Sequence, residues 1–369
     1  MVRLPKFFLW GLCPGLCLAV LSSCSGSIVS GAGASFPAPF YIEAAKQYAG
    51  DLVHNPQGVQ ISYGAVGSGA GIRNLRDHTV DFGASDVFLS DEEMSEMGAE
   101  VIQVSTCIGG VVMAYNLPEV DTLRLNSEVI AKMYLGEITN WRDPAISALN
   151  PGVTFPDKPV TPIYRSDGSG TTSVFSSYMS GTNAEWRENI GKGKTIDLGS
   201  VGMAAKGNPG VAGNISEIDG SIGYIGSEYS LALGIPSALL QNASGRFVEA
   251  TMEHISIAGE RDDFPDDTRA ILSNSPNPDA YPIATMTWVL AYKEQNYLGR
   301  TREEARELQD WLLYLVSDAA RTSAERTHYA PLPVTAMEKA RRVILSMTYD
   351  GKPLSTEDQT PKPAPSDER

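Results

Sequence analysis

The hydrophobic pattern of the chain alternates between short apolar segments that predict strands and longer segments with helical periodicity. Val59, Ile61 and Tyr63 alternate with other residues, as expected of a strand with two distinct faces. Several nearly continuous apolar runs, which are typical of strands buried in parallel sheets, occur farther along the chain. Strands are therefore also predicted at residues 81–85, 108–115, 160–164, 222–225 and 285–292.

The segments between the predicted strands have the spacing of amphipathic helices. The clearest helix starts after Thr301, because Glu304 three residues later completes a capping box. Ala305, Leu308 and Leu312 then recur at helical spacing and form one apolar face. The alternation of strands and helices predicts an α/β architecture, and a length of 369 residues predicts two lobes rather than one core.

The N-terminal segment has the features of a signal peptide. Arg3 and Lys6 precede an apolar run at residues 7–21, which is too short for a comfortable membrane span. Ser23 and Cys24 follow and resemble the cleavage site of a bacterial lipoprotein. We therefore predict that residues 1–23 are removed and that Cys24 is lipidated, so that the protein is exported and lipid-anchored to the cell membrane. The alternative is an ordinary signal peptide with an incidental cysteine.

The composition of the chain predicts three further properties of the protein. Loss of the signal peptide and lipidation of Cys24 would leave Cys107 as the one free cysteine, which we predict to be a small buried residue. Residues 355–369 are rich in Pro, Ser, Thr and charge and predict a disordered tail. The formal net charge of -15 argues against nucleic acid as a partner, because binding a phosphate backbone requires a surface rich in Lys and Arg.

Three loops rich in glycine and hydroxyl residues are candidate anion-binding segments. Each lies between a strand or extended segment and a predicted helix, whose first turn offers free backbone N–H groups and the positive end of the helix dipole. Ser and Thr are also ordinary helix caps, so one such loop alone would be weak support. Three in one chain, one of which contains Arg165, favour an anion site. The loops are residues 31–37, 67–71 and 165–171.

The motifs of the main enzyme classes are missing from these loops. A nucleotide-binding P-loop needs a Lys before its last Ser or Thr, and the third loop has none. The histidines are scattered, and none pairs with another at the spacing of metal ligands. We therefore predict no metal, no cofactor and no enzymatic activity such as that of a secreted phosphatase. The histidines are His54, His78, His254 and His328.

Asp86 has two possible roles. It closes a segment in which a predicted strand ends in an acid. One interpretation is a cap for a helix that starts near residues 90–93, and the other is a direct contact with a ligand. The residues themselves leave both open.

Taken together, these segments resemble the phosphate-binding proteins of ABC-type phosphate importers, the PstS family. The similarity extends from about Ser27 to Leu354, with the motifs in the order of the family. The matching segments are residues 31–39, 81–86, 108–112, 134–138, 167–171, 220–224 and 329–333, together with Trp186.

The resemblance implies an α/β, two-lobe type II periplasmic-binding-protein fold with a hinge-closing cleft between the lobes. Lobe one would comprise residues 27–115 plus 287–354, and lobe two residues 116–286. The cleft would enclose inorganic phosphate for import without any chemical reaction. The implied partners are phosphate, the ABC permease subunits and, through the lipid anchor, the membrane, and we expect a monomer.

The resemblance also implies which residues contact phosphate. Asp86 would accept a proton from the ligand, and Arg165 would make the charged contact while Asp167 holds it. Two alternatives stay open: a different oxyanion as the ligand, such as sulfate or molybdate, and a role in sensing or adhesion instead of import. Neutral donors would complete the site: the hydroxyls of Ser35, Ser68, Ser169 and Thr171, and the backbone N–H groups of Ser35, Phe36, Gly170 and Thr171.

Overall fold

The computed structural model describes residues 27–260 and 264–355. The predicted signal peptide, Cys24 and residues 356–369 of the predicted tail lie outside the described residues. Within the described ranges, the chain forms an α/β structure in which helices cover a mixed sheet. No helix in these ranges has both the length and the apolar character needed to cross a membrane.

The elements of the described residues follow in chain order. The strands are β1 (Ile28–Gly33), β2 (Gln60–Ala65), β3 (Phe82–Ser85), β4 (Val101–Tyr115), β5 (Arg124–Leu125), β6 (Thr161–Arg165), β7 (Met203–Ala205), β8 (Ser221–Gly226), β9 (Leu239–Gln241), β10 (Phe247–Val248), β11 (Ala284–Tyr292), β12 (Thr348–Tyr349) and β13 (Lys352–Pro353). The helices are α1 (Ala38–Gly50), α2 (Ser68–Arg76), α3 (Asp91–Ser95), α4 (Ser127–Tyr134), α5 (Pro144–Leu149), α6 (Gly170–Thr182), α7 (Ala184–Asn189), α8 (Gly207–Glu217), α9 (Ser227–Leu233), α10 (Met252–Gly259), α11 (Arg302–Leu315), α12 (Asp318–Arg326) and α13 (Val334–Leu345).

The strands and the helix start that the pattern predicts are confirmed. The six predicted segments correspond to β2, β3, β4, β6, β8 and β11. The helix predicted after Thr301 is α11, and both hydrogen bonds of the capping box between Thr301 and Glu304 are present. Cys107 is fully buried, as its apolar surroundings in the sequence predict.

The glycine-rich segments are more regular than the predicted loops. Residues 31–33 are the end of β1, and residues 69–71 lie inside α2, so the prediction of loops is wrong for both stretches. Glycine is required there because backbones approach closely. A Cβ on Gly33 would lie 2.1 Å from the carbonyl oxygen of Ala84, and a Cβ on Gly71 would lie 2.4 Å from the Cα of Gly33.

Among the described residues, the main sheet has eight strands in the order β2-β1-β3-β11-β4-β8-β6-β7. Two groups are parallel, β2-β1-β3 and β8-β6-β7, whereas β11 and β4 run antiparallel to their neighbours. The apolar runs at residues 108–115 and 285–292 therefore form antiparallel pairs, not the parallel pairs that the pattern predicted. Every residue of β4 and β11 is buried, so the runs report burial on both faces and carry no information on strand direction.

Strand β4 connects the two halves of the sheet. Residues 101–110 pair with β11, and residues 111–115 pair with β8. The change of partner between Gly110 and Val111 comes a few residues before the predicted lobe boundary after Tyr115. The residue ranges given above for the two lobes stay a prediction.

The carboxyl ends of the parallel strands of both halves lie in one region. β1 and β3 lead to Ser35 and Asp86, and β2 leads to Ser68 at the start of α2. From the other half, β6 leads to Thr171 and β7 leads to Asn208. The carboxyl edge of parallel strands is the usual ligand position in α/β folds.

Candidate anion-binding site

Two helix N-termini meet at the centre of this region. Ser68 is the first residue of α2, and Gly170 is the first residue of α6. Ser68 Oγ accepts a hydrogen bond of 3.0 Å from the N–H of Gly170, and the N–H of Gly69 donates to the carbonyl of Gly168 at 2.9 Å. The second and third predicted loops are thus in direct contact. Only glycine fits at position 170, because a Cβ there would lie 2.5 Å from Ser68 Oγ.

Asp86 lies between these helix ends and is only 1% exposed. One of its oxygens accepts a hydrogen bond from Thr171 Oγ1 and the other from Thr287 Oγ1, both at 3.2 Å. The helix that Asp86 could have capped is α3, which is capped by the side chain of Ser90 in a capping box with Glu93. The helix-cap interpretation of Asp86 is therefore wrong.

Burial raises the pKa of Asp86 to about 7, although the charge of Arg165 and the hydroxyls of Thr287 and Thr171 act in the opposite direction. The cause is the loss of the water that would otherwise stabilise the carboxylate. This carboxyl therefore keeps its proton to a higher pH than an exposed aspartate does. This carboxyl can accept a hydrogen bond in one form and donate one in the other.

Arg165 supplies a buried positive charge at the end of β6. Its Nε and Nη2 donate to the two carboxylate oxygens of Asp167 at 2.8 and 2.6 Å, and its Nη1 donates to Thr171 Oγ1 at 3.4 Å. Partial burial alone would raise the pKa of Asp167, but the guanidinium beside it holds that pKa below its usual value. The predicted contact between Arg165 and Asp167 is present, and its bidentate geometry fixes the plane of the guanidinium.

Ser169 and Phe36 are held by neighbouring backbone and side chains. Ser169 Oγ accepts from the N–H of Thr172 at 3.0 Å and caps α6. The carbonyl of Phe36 accepts from the hydroxyl of Tyr329, and a Cβ on Gly109 would lie 2.5 Å from the Phe36 ring. These contacts fix the two segments that flank the helix ends.

Asn208 also belongs to this cluster, although it lies in none of the three candidate segments of the sequence. It is fully buried in the first turn of α8, and its backbone N–H and its Nδ2 donate to Ser35 Oγ at 3.1 and 3.2 Å. Nδ2 also donates to Thr171 Oγ1 at 3.2 Å. The sequence does contain a signal for Asn208. Strand β7, Gly207 with a φ of 70° and helix α8 repeat the strand–glycine–helix arrangement of the three candidate segments.

The predicted site residues therefore form one cluster. Hydrogen bonds join them directly or through Asn208, and Phe36 and Ser169 adjoin other members along the chain. Which of them contact a bound anion stays a prediction. The cluster comprises Ser35, Phe36, Ser68, Asp86, Arg165, Asp167, Ser169, Gly170 and Thr171.

Nothing in the described ranges resembles a metal centre. No group of three or more His, Cys, Asp and Glu side chains there is arranged to hold a metal ion. Apart from the carboxyls of Asp86 and Asp167, the cluster consists of hydroxyls, backbone N–H groups and a guanidinium, which are donors that suit an oxyanion.

Comparison with known proteins identifies the family. The chain matches the family model of the PBP superfamily domain over residues 21–319. It is 34% identical over 315 residues to the phosphate-binding protein PstS of Pasteurella multocida, a match that covers 84% of this chain and 88% of that protein. The chain belongs to the PstS family. A second relative, PstS of Methanocaldococcus jannaschii, is 30% identical and matches over 83% of this chain and 82% of its own length.

Solved structures share the fold of this PstS family member. The periplasmic phosphate-binding protein PfluDING, solved with phosphate bound, superposes with a TM-score of 0.65 at 20% identity, covering 85% of this chain and 92% of that chain. A human phosphate-binding apolipoprotein gives a TM-score of 0.64, also at 20% identity, over 85% of this chain and 93% of that one. The predicted two-lobe type II fold is confirmed. Family membership also confirms the prediction of a binding protein rather than an enzyme.

Proposed function

We propose that this PstS family member binds inorganic phosphate between its lobes and supplies it to the permease of an ABC-type importer. The observation that carries the proposal is the cluster of buried donors around one buried carboxyl, Asp86. Ser35, Ser68 and Thr171 supply hydroxyls and Arg165 supplies the positive charge. The relatives that cover most of the chain are named phosphate-binding proteins, which supports the choice of ligand.

The energetics of an enclosed anion favour this set of donors. Taking a multiply charged ion out of water is costly, and the cost is met only when its oxygens receive hydrogen bonds. Arg165 is already paired with Asp167, so the site adds little net charge and relies mainly on neutral dipoles. Exclusion of water between the two lobes strengthens each of these bonds.

Phosphate is favoured over other oxyanions because Asp86 lies among the donors. Near neutral pH, phosphate keeps at least one proton and can donate a hydrogen bond to the carboxylate. Fully ionised sulfate has no proton to donate and would face the carboxylate with lone pairs on both sides. We therefore propose phosphate as the ligand and no further cofactor.

Isothermal titration calorimetry of the mature protein tests the proposed function. At a pH above 7, where Asp86 is ionised, we expect strong binding of phosphate, binding of arsenate because it is likewise protonated, and much weaker binding of sulfate. Buffer without added anion is the baseline, and the protein is first unfolded and refolded during dialysis to remove any phosphate that copurifies. Absence of binding with phosphate, or equal binding of sulfate, would contradict the proposal.

We further propose that the protein is exported and anchored through a lipid on Cys24, as a monomer that meets the permease at the membrane. The support is the apolar run that ends in Ser23 and Cys24. Stable attachment needs more than one acyl chain, which a lipidated N-terminal cysteine provides.

Replacing Cys24 with alanine tests the anchor. We expect Cys24→Ala to appear in the soluble fraction or to accumulate as an unprocessed precursor, since position 24 no longer has a thiol to carry the lipid. The measurement is membrane fractionation followed by intact-mass determination, and Cys107→Ala, which leaves Cys24 in place, is the control. A Cys24→Ala protein of mature length in the membrane fraction would show that the anchor lies elsewhere.

A further inference from the structure

Asn208 occupies a position from which one side chain reaches both halves of the candidate site. It is fully buried, and α8 places it directly after the turn at Gly207. Its contacts include Ser35, which follows β1, and Thr171, which follows β6. The bond to Ser35 spans 173 positions of the sequence, so it exists only because the two halves meet.

The orientation of the Asn208 amide is fixed by a donor that cannot reverse its role. The backbone N–H of Gly226 donates to Asn208 Oδ1 at 3.2 Å. A backbone N–H can only donate, so the oxygen of the amide must face Gly226 and the Nδ2 group must face the two hydroxyls. Both hydrogen bonds from Nδ2, to Ser35 Oγ and to Thr171 Oγ1, measure 3.2 Å.

This orientation determines what the Ser35 hydroxyl can do. A hydroxyl has two acceptor positions and one hydrogen to donate. The backbone N–H and the Nδ2 of Asn208 occupy both acceptor positions of Ser35 Oγ. No acceptor for the Ser35 hydrogen is found among the described residues, so this hydrogen is left for an incoming oxyanion.

The Thr171 hydroxyl is set in the same way. Its oxygen accepts from Nδ2 of Asn208 and from Nη1 of Arg165, and its hydrogen goes to Asp86 Oδ2. Because both of its acceptor positions are occupied, the Thr171 hydroxyl, like that of Ser35, can act only as a donor toward a ligand. If the O–H of a bound phosphate replaces Thr171 as the hydrogen-bond donor to Asp86 Oδ2, the Thr171 hydrogen is available for a phosphate oxygen.

We infer that Asn208 is a positioning residue of the anion site, which holds the Ser35 and Thr171 hydroxyls as hydrogen-bond donors toward the ligand. It acts through these two side chains and does not itself contact the anion. The inference rests on the proposed function and adds a residue to it. It also links the two halves of the site, because Ser35 and Thr171 follow strands of different halves of the sheet.

Replacing Asn208 with alanine tests the inference through affinity and coupling. We expect Asn208→Ala to weaken phosphate binding by about 10- to 100-fold, the loss seen when residues that orient metal ligands are removed. In a Ser35→Ala background the same change should weaken binding by a clearly smaller factor, because Asn208 can then act only through the Thr171 hydroxyl. Equal factors in both backgrounds, or unchanged affinity in Asn208→Ala, would overturn the inference.

Asn150 provides a matched control for a purely structural effect. It is a buried asparagine with three hydrogen bonds to the backbone of Arg124 and Ile146, and it is remote from the site in its contacts. Asn150→Ala is expected to lower the thermal unfolding midpoint and to leave phosphate affinity unchanged. An equal loss of affinity in Asn150→Ala would assign the effect of Asn208→Ala to general destabilisation and overturn the inference.

Asn208→Asp keeps the shape of the side chain and decides the question if Asn208→Ala does not fold. A carboxylate oxygen in place of Nδ2 can only accept, so both hydroxyls would turn their hydrogens toward it and away from the ligand. We expect phosphate affinity to fall at neutral pH and to recover partly, relative to wild type, as acid protonates the new carboxyl. A loss independent of pH, or no loss, would overturn the inference. Failure of wild type to bind phosphate would instead refute the proposed function.

Discussion

Replacing Asp86 with asparagine is expected to remove most of the discrimination between phosphate and sulfate. Where Asp86 is fully ionised, at a pH well above 7, wild type should prefer phosphate by up to roughly 10⁴–10⁵, as sites built around a ligand hydroxyl do when an analogue lacks it. The physical reason is the buried carboxylate, which accepts a hydrogen bond from the O–H of phosphate and repels the lone pairs of sulfate. Asp86→Asn removes the charge and offers an N–H donor, so sulfate binding should rise and the preference should shrink.

The same carboxyl should make the preference depend on pH. An acid is ionised above its pKa and protonated below it, and burial raises the pKa of Asp86 to about 7. On the alkaline side, Asp86 is a carboxylate and sulfate should be rejected most strongly. On the acidic side, protonated Asp86 can donate a hydrogen bond to sulfate, so sulfate affinity should rise as the pH falls through 7. Asp86→Asn should lack this rise.

Competition binding of the two anions at a series of pH values on both sides of neutrality measures both effects. Asp81→Asn is a matched control, because Asp81 directly precedes β3 as Asp86 directly follows it, but Asp81 contacts Ser30 and Arg300, away from the cluster. It should keep the wild-type preference and its pH dependence. If wild type binds sulfate comparably to phosphate, or if Asp86→Asn keeps the full preference, the role given to Asp86 is wrong.

Truncation of Arg165 to alanine is expected to weaken phosphate binding by about 2–5 kcal/mol, or roughly 30-fold to several thousand-fold. The variant loses the buried positive charge of the cluster. It also leaves Asp167 with a negative charge and without its bidentate partner, next to the position proposed for the anion. Arg165→Lys should bind more weakly than wild type as well, because an ammonium group cannot reproduce the planar pair of bonds.

Calorimetry with phosphate on four variants separates the contributions: Arg165→Ala, Arg165→Lys, a double variant and a control. Combining Arg165→Ala with Asp167→Asn removes the orphaned charge and should recover part of the lost affinity. Arg142→Ala is the control, since Arg142 is exposed and pairs with Asp157 on the surface. Wild-type affinity in both Arg165→Ala and Arg165→Lys would remove Arg165 from the site.

The sequence by itself determined the parts of the site that depend on neighbouring residues. A strand followed by glycine and a hydroxyl residue at a helix start is a local arrangement, and α2 and α6 begin where such segments predict. Arg165 and Asp167 are two positions apart, so their pairing needs only the local turn. The capping box between Thr301 and Glu304 is local for the same reason.

The sequence was less informative where a pattern has two structural origins. Apolar runs predicted parallel strands, yet β4 and β11 are antiparallel, because burial on both faces produces the same run in either direction. Glycine-rich segments predicted loops, yet residues 31–33 belong to β1. Glycine there permits the close approach of Gly71 and Ala84, which a sequence pattern does not distinguish from a turn.

Only the tertiary structure decided how the site is assembled. Thr287 lies 201 positions from Asp86, and Asn208 lies 173 positions from Ser35, yet both pairs are hydrogen-bonded. Local preferences act over a few residues, whereas these contacts arise when the halves of the sheet come together. The chemistry of each donor was therefore fixed by the sequence, and its partners were fixed by the packing of distant segments.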